Sequence, residues 1–309
     1  MRVFVAGGTG AIGARLVPRL IARGHQVVAT TSRLEKLEAL RETGAQAMVV
    51  DGLNGASVGE AVARARPDAI VHQMTALAGK PDLRHFDRWF AKTNELRTQG
   101  TEHLLAAARA TGVSRFVAQS YTGWTNSRIG SAVKTETDPL DPHPAKAQTK
   151  TLAAIRFLEE AVTTAPLEGT VLRYGNFYGP RVSQPLVELV RRRQLPIIGT
   201  GAGVWSWIHI DDAAEATAKA LEHGGRGIYN IVDDEPAPVS EWLPYLATVV
   251  HARPPLRIPK WLGLIAAGRV AVRMMTETRG ASNAKAKAEL GWQPVWRSWR
   301  DGFRRELRP

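Results

Sequence analysis

Short β-branched runs alternate with amphipathic stretches through the first two thirds of the chain. Val3–Ala6, Gln26–Thr30, Ala47–Val50, Ala69–His72, Arg115–Gln119 and Thr170–Arg173 each follow a polar or glycine break, as buried parallel strands do. Between them, residues 12–23, 34–43, 58–66, 97–111 and 146–163 carry apolar positions at helical spacing. The alternation predicts an α/β fold, a doubly wound parallel Rossmann sheet with right-handed crossovers and helices on both faces. After Tyr174 the pattern breaks into loops, short helices and turn-rich pieces such as Pro236-Ala237-Pro238 and Pro254-Pro255. A Rossmann domain is therefore expected over residues 1–174, with later strands returning to it. A smaller, intertwined lobe over 175–309 is expected above the carboxyl ends of the strands, where open α/β sheets bind ligands.

Composition narrows the chemistry. The 309 residues suffice for one large domain carrying a smaller lobe. The chain has no cysteine, which excludes disulfides, thiolate metal sites, iron–sulfur clusters and cysteine nucleophiles, and fits a reducing cytoplasm. No other metal site is expected. The apolar run before Gly7 is too short for a signal peptide. No stretch of about 18 apolar residues occurs, so neither a span nor a membrane partner is expected. The longest candidate, Trp261 to Val272, is interrupted by Gly263, Gly268 and Arg269. The net charge of +12 comes from scattered basic residues, clustered only at Arg191–Arg193 and Arg297–Arg308. No nucleic-acid-binding motif accompanies them, so the charge is read as attraction for an anionic cofactor or small-molecule substrate rather than for nucleic acid.

The strongest local signal is Gly7-Gly8-Thr9-Gly10-Ala11-Ile12-Gly13, directly after the first strand and opening the first helix. Glycines permit a tight turn and let backbone N–H groups approach a pyrophosphate, while the helix N-terminus adds partial positive charge. The second strand ends in Thr31-Ser32-Arg33 rather than in the acid that holds an NAD ribose. A hydroxyl beside a guanidinium suits a 2′-phosphate, so NADP(H) is expected over NAD(H). Asp51, followed by Gly52, either accepts from the adenine amino group or caps a turn.

These residues, with several later segments, resemble the extended short-chain dehydrogenase/reductase family, which includes nucleotide-sugar epimerases and dehydratases. The further matches are Val71–Ala76, Asn94 with Gly100-Thr101, Arg115–Ser120, Leu172–Arg181, Trp207–Ala214 and Tyr229-Asn230-Ile231. The resemblance implies that Gln73, Met74, Thr75, Asn94, Gln119, Tyr174, Gly175, Asn176 and Phe177 line the dinucleotide. It implies a homodimer as well.

Family chemistry uses a Tyr-x-x-x-Lys pair and a nearby Ser or Thr, the tyrosine exchanging a proton while hydride moves. Here Lys150 takes the lysine position and Lys146 stands where the tyrosine would be; no other Tyr-x-x-x-Lys occurs. On a continuous helix the two lysines would share a face, which would make Lys146 a usable acid; the alternative is that it points to solvent. The Ser/Thr position falls on Tyr121, with Ser120 and Thr122 beside it, and His143 is another candidate acid. The family's epimerases and dehydratases carry a diphosphate-binding arginine where this chain has Trp205. With Trp89 and Trp124 near the expected pocket loops, that points to a flat or apolar substrate, and Trp124, His143, Tyr178 and Trp205 are the candidate substrate contacts. Three readings stand at this point: an NADPH-dependent reductase acting on a carbonyl of an aromatic or polycyclic non-nucleotide, a nucleotide-sugar epimerase or dehydratase, and a non-catalytic dinucleotide sensor.

Overall fold

The computed structural model describes residues 1–77 and 81–308. Its central sheet has seven parallel strands: β1 (Arg2–Ala6), β2 (Gln26–Thr31), β3 (Gln46–Val49), β4 (Ala69–His72), β5 (Arg115–Tyr121), β6 (Glu168–Tyr174) and β7 (Gly227–Ile231). Their order is β7-β6-β5-β4-β1-β2-β3. The chain starts at β1 in the interior, winds outward to β3, then crosses to β4 and winds the other way. That reversal leaves a crevice at the carboxyl ends of β1 and β4, where this architecture binds its ligands.

The period of two along the strands divides the core. Val3, Val5, Val117 and Leu172 face one layer, formed with helices α1 (Gly13–Ala22) and α6 (Ile210–His223). Phe4, Ala6, Phe116, Ala118 and Val171 face the other, against α2 (Gly55–Ala65), α4 (Gln99–Thr111) and α5 (Thr149–Thr164). Both faces are covered, which is why the strands read as near-continuous apolar runs. Helix α3 (Ala91–Arg97) precedes α4 and packs on α5. Helices Gln184–Arg191, Val239–Val249, Lys260–Thr276 and Trp299–Glu306 surround a further core that buries Tyr178, Trp207, Trp242, Trp299 and Phe303.

The sequence does not divide cleanly at 174. Strand β7 completes the sheet beside β6, pairing Ile231 with Tyr174, and α6 packs on α1. Arg15 and Arg19 both reach Asp211 across that helix pair, at 3.3 and 2.9 Å. These side chains are about one-third exposed, so each pair contributes at most about 1 kcal/mol.

Candidate active site

The glycine turn is built for a close approach. Gly7 has φ +95°, and a Cβ there would lie 2.8 Å from the Gln73 carbonyl. A Cβ on Gly13 would lie 2.3 Å from the Gly7 oxygen. Only glycine lets β1, the turn and α1 meet in this way. Helix α1 starts with no side-chain cap, and among the described residues the N–H groups of Ala11, Ile12 and Gly13 have no acceptor in the protein. Gly10 and Ala11 are exposed. Open donors at a helix N-terminus, reachable from outside, fit a pyrophosphate.

At the end of β2 the Thr31 hydroxyl is occupied, accepting from the Arg33 N–H at 3.2 Å and lying 3.2 Å from the Thr9 hydroxyl. Ser32 and Arg33 are exposed, and among the described residues Arg33 has no carboxylate within ion-pair distance. Asp51 closes a turn by accepting the Leu53 N–H at 3.0 Å, the second of its two expected roles. Gly52 is buried; a Cβ there would lie 2.5 Å from the Met74 sulfur. Thr75 is exposed at the crevice end of β4.

Beneath the crevice lies a polar layer. Gln73 donates to the Tyr174 hydroxyl, which also lies 2.7 Å from the Thr217 hydroxyl. Burial pushes the Tyr174 pKa up to about 12, so it is a bracing phenol rather than an acid. Gln119 donates to the Met74 carbonyl, and Asn94 donates to the Thr151 hydroxyl at 3.1 Å. Among the described residues, Gln73 Oε1, Asn94 Oδ1 and Gln148 Nε2 are buried without a partner.

The three candidate hydroxyls at the end of β5 are all committed. Ser120 donates to Glu159 at 2.7 Å, facing the core. Tyr121 donates to Asn176 Oδ1 at 3.1 Å, and burial raises its pKa above the ordinary 10.0. Thr122 exchanges hydrogen bonds with the Asn126 side chain, which also donates to the Arg279 carbonyl. Asn176 is itself fixed, its amide donating to the Ser206 carbonyl at 3.1 Å.

The two lysines do not stand one turn apart on an α-helix, and that expectation is corrected. Helix α5 begins only at Thr149, and Lys146 lies in a separate tight turn over Lys146–Gln148. Both side chains are exposed, and among the described residues neither makes an ion pair. The start of α5 is capped by Asp87, which accepts the N–H groups of Lys150 and Thr151 at 3.0 and 2.8 Å. Sequence reasoning missed Asp87, because the cap lies 63 residues from Lys150 and leaves no local signal.

Trp124 stacks on Tyr121 with 6.3 Å between ring centroids and meets Phe86 edge-on at 5.1 Å. This gives the crevice an apolar, aromatic wall on the side of β5. Phe177, half-buried, packs on Tyr174 at 5.5 Å. A Cβ on Gly175 would lie 2.7 Å from the Ser206 carbonyl, so the chain passes close to its neighbour there. Tyr178 has no exposed surface and packs against His209 and Phe303, so it cannot touch a substrate, contrary to expectation. Trp205 is half-buried against Trp207 and Trp242, and its indole N–H donates to the Met274 carbonyl at 2.9 Å. His143 is exposed, and its carbonyl ties Arg128 to Arg273.

A buried charge cluster, also missed from the sequence, backs the site. Arg173 grips Glu159 with bonds of 2.7 and 2.6 Å, both side chains 6% exposed. Arg97, at the end of α3, is buried, and its Nε and Nη1 have no partner among the described residues. Desolvation lowers its pKa to about 10, offset in part by Glu159, so it stays charged at neutral pH.

Comparison with known proteins places these features. A family model described as the NAD dependent epimerase/dehydratase family matches residues 3–232. The chain is 42% identical to a 3-diazoavenalumate denitrifying reductase of a Streptomyces species, covering 99% of this chain and all of that protein. It is 29% identical to a 2-alkyl-3-oxoalkanoate reductase of Stenotrophomonas maltophilia, covering 82% of this chain and 76% of that one. A UDP-glucose 4-epimerase of Thermus thermophilus, solved with NAD, superposes with a TM-score of 0.74 at 27% identity, covering 98% and 97% of the two chains. With a sheet, a turn and relatives of this kind, the chain belongs to the NAD dependent epimerase/dehydratase family, as a nicotinamide-dinucleotide oxidoreductase of the extended short-chain type.

Proposed function

We propose that the protein is an NADPH-dependent reductase of an aromatic, non-nucleotide small molecule, and that the group it reduces is a diazo group lost as dinitrogen. The observation that carries this reading is the commitment of Ser120, Tyr121 and Thr122 to other partners, with a lysine where the family's tyrosine stands. Carbonyl reduction leaves an alkoxide and needs a proton donor. Reductive loss of dinitrogen from the group in its aryl diazonium form needs none, because the hydride cancels the charge of the cation. When bound, NADPH would supply the hydride for the new ring C–H bond and be oxidised to NADP⁺, the C–N electron pair departing on dinitrogen.

The residues divide the remaining work. Ala11, Ile12 and Gly13 offer N–H donors to the pyrophosphate, and Ser32 with Arg33 takes the 2′-phosphate. Trp124 and Tyr121 present a face to the aromatic ring. The wall around them lowers the local polarity and excludes water, which would otherwise capture a reactive diazonium. The relative named for denitrifying reduction of a diazo compound supports the choice of electrophile. Carbonyl reduction is the second reading, favoured by the 3-oxoalkanoate reductase, with the proton drawn from Tyr121, Lys146, water or the substrate. A sugar epimerase is disfavoured, since Trp205 stands where a diphosphate-binding arginine is expected.

The test mixes purified protein and NADPH with an aryl diazonium salt, a quinone, a 3-oxo acid and UDP-glucose, following nicotinamide absorbance and released gas. Oxidation of NADPH with one dinitrogen per turnover is the expected result; turnover with the ketone alone establishes the second reading. Arg33→Ala should weaken NADPH roughly 10- to 100-fold and leave NADH unchanged, as removal of one charge-assisted contact predicts.

A further inference from the structure

Helix Lys260–Thr276 is not one rod. Gly268 takes φ +83° and ψ +172°, which separates an arm over residues 260–267 from the rest. The arm's inner side is fixed by Gly263, where a Cβ would lie 2.6 Å from Ile198, and by the Arg84 guanidinium, which donates to the carbonyls of Ile265 and Ala266. Its outer side is apolar and uncovered: Trp261 is 64% exposed, Ile265 66% and Leu264 46%. These three lie at i, i+3 and i+4, on one helix face. Large apolar side chains clustered in this way on a surface mark a contact site.

The charge along this stretch of chain has one sign. No acidic residue occurs between Trp242 and Thr276, whereas Arg253, Arg257, Lys260 and Arg269 are exposed. Among the described residues none of these four makes an ion pair. We propose that this arm is a peripheral contact with an anionic lipid surface. Trp261, Leu264 and Ile265 enter the headgroup–acyl boundary, and the four basic side chains meet lipid phosphates. The interruption at Gly263, Gly268 and Arg269 that rules out a span leaves a short tip suited to lying in the interface. A second copy fits less well, because a two-fold contact would bring the like charges of two arms together. Side chains that project rather than line a groove suit a fluid surface, which needs no matching shape.

The experiment is cosedimentation of the full chain with vesicles of phosphatidylcholine alone, or of phosphatidylcholine mixed with phosphatidylglycerol. Binding at least tenfold stronger to the anionic vesicles is expected, weakened by salt. Trp261→Asp combined with Ile265→Asp should abolish it with NADPH affinity unchanged, and Arg253→Glu with Arg257→Glu should abolish the preference for anionic lipid. Absence of binding to anionic vesicles overturns the proposal. So does equal binding by wild type and the apolar double variant, or a change from dimer to monomer in that variant as its sole effect. None of these outcomes bears on the reductase reading, since vesicle binding is scored without turnover.

Discussion

Tyr121→Phe removes one oxygen atom from the crevice and keeps the ring that stacks on Trp124. In the wild-type protein that oxygen donates to Asn176 Oδ1 at 3.1 Å, and Asn176 is held in place by Ser206. Its loss leaves one part-buried acceptor without that donor, at a cost of about 1 kcal/mol of stability. The catalytic consequence separates two mechanisms. A phenol that delivered a proton in the transition state would be worth roughly 10²- to 10⁴-fold in rate. A phenol already donating elsewhere, with its pKa pushed upward by burial, contributes no such factor. The expected outcome is a lower melting temperature with kcat on an aryl diazonium within about threefold of wild type, the scatter of a small packing change. Stopped-flow recording of NADPH oxidation, alongside NADPH titration, measures both. A loss of kcat beyond about 100-fold with NADPH affinity unchanged would refute the reasoning and identify Tyr121 as the acid.

Gly13→Ala places a Cβ 2.3 Å from the Gly7 oxygen, so fluorescence titration should show NADPH binding lost or weakened more than 100-fold, while circular dichroism stays native. Glu159→Gln leaves Arg173 and Arg97 as two buried cations without a counter-charge, and urea unfolding should show a loss of about 3–5 kcal/mol; a change under 1 kcal/mol contradicts the assigned role. His72 is wholly buried, its Nε2–H donating to the Leu96 carbonyl and its Nδ1 accepting the Met74 N–H, an arrangement only the neutral ring can make. Burial lowers its pKa from 6.5 to about 4, so the unfolded chain takes up a proton that the native one refuses. Stability should therefore be intact above pH 6.5 and fall by about 3 kcal/mol as the pH drops to 4. The fall should be shallower in His72→Gln, and an identical slope would count against this account.

Much of the scaffold was legible because the pattern that encodes it is local. Residues 69–72 were predicted as a strand with the observed limits, and the other five strands differ by one to a few residues. The period-two runs are buried on both faces, and the turn glycines stand where no Cβ fits. The seventh strand, Gly227–Ile231, was visible only through the family resemblance, since it lies beyond the regular alternation. The helix expected over 97–111 is observed over Gln99–Thr111; Arg97 instead ends the helix before it, because Thr98, with ψ −84°, separates α3 from α4. The site was less legible, because side-chain roles depend on partners far apart in sequence. Ser120 and Glu159 are 39 residues apart, and Tyr121 and Asn176 are 55. Trp205 and Met274 are 69 apart. A residue type at a motif position says which atoms are present; it does not say which have already found a donor or acceptor. Tyr178 shows the difference, since it follows a motif of the crevice yet faces the lobe core.

The claim that hydride replaces dinitrogen without a protein acid is tested most directly by isotope. NADPH carrying deuterium at the transferable position of its nicotinamide is turned over with an aryl diazonium in ordinary water, and the product ring is read by mass spectrometry and NMR. One deuterium on the carbon that held the nitrogen is expected, with one dinitrogen released per NADPH. Product that takes its hydrogen from water, or that keeps both nitrogens, would contradict the account.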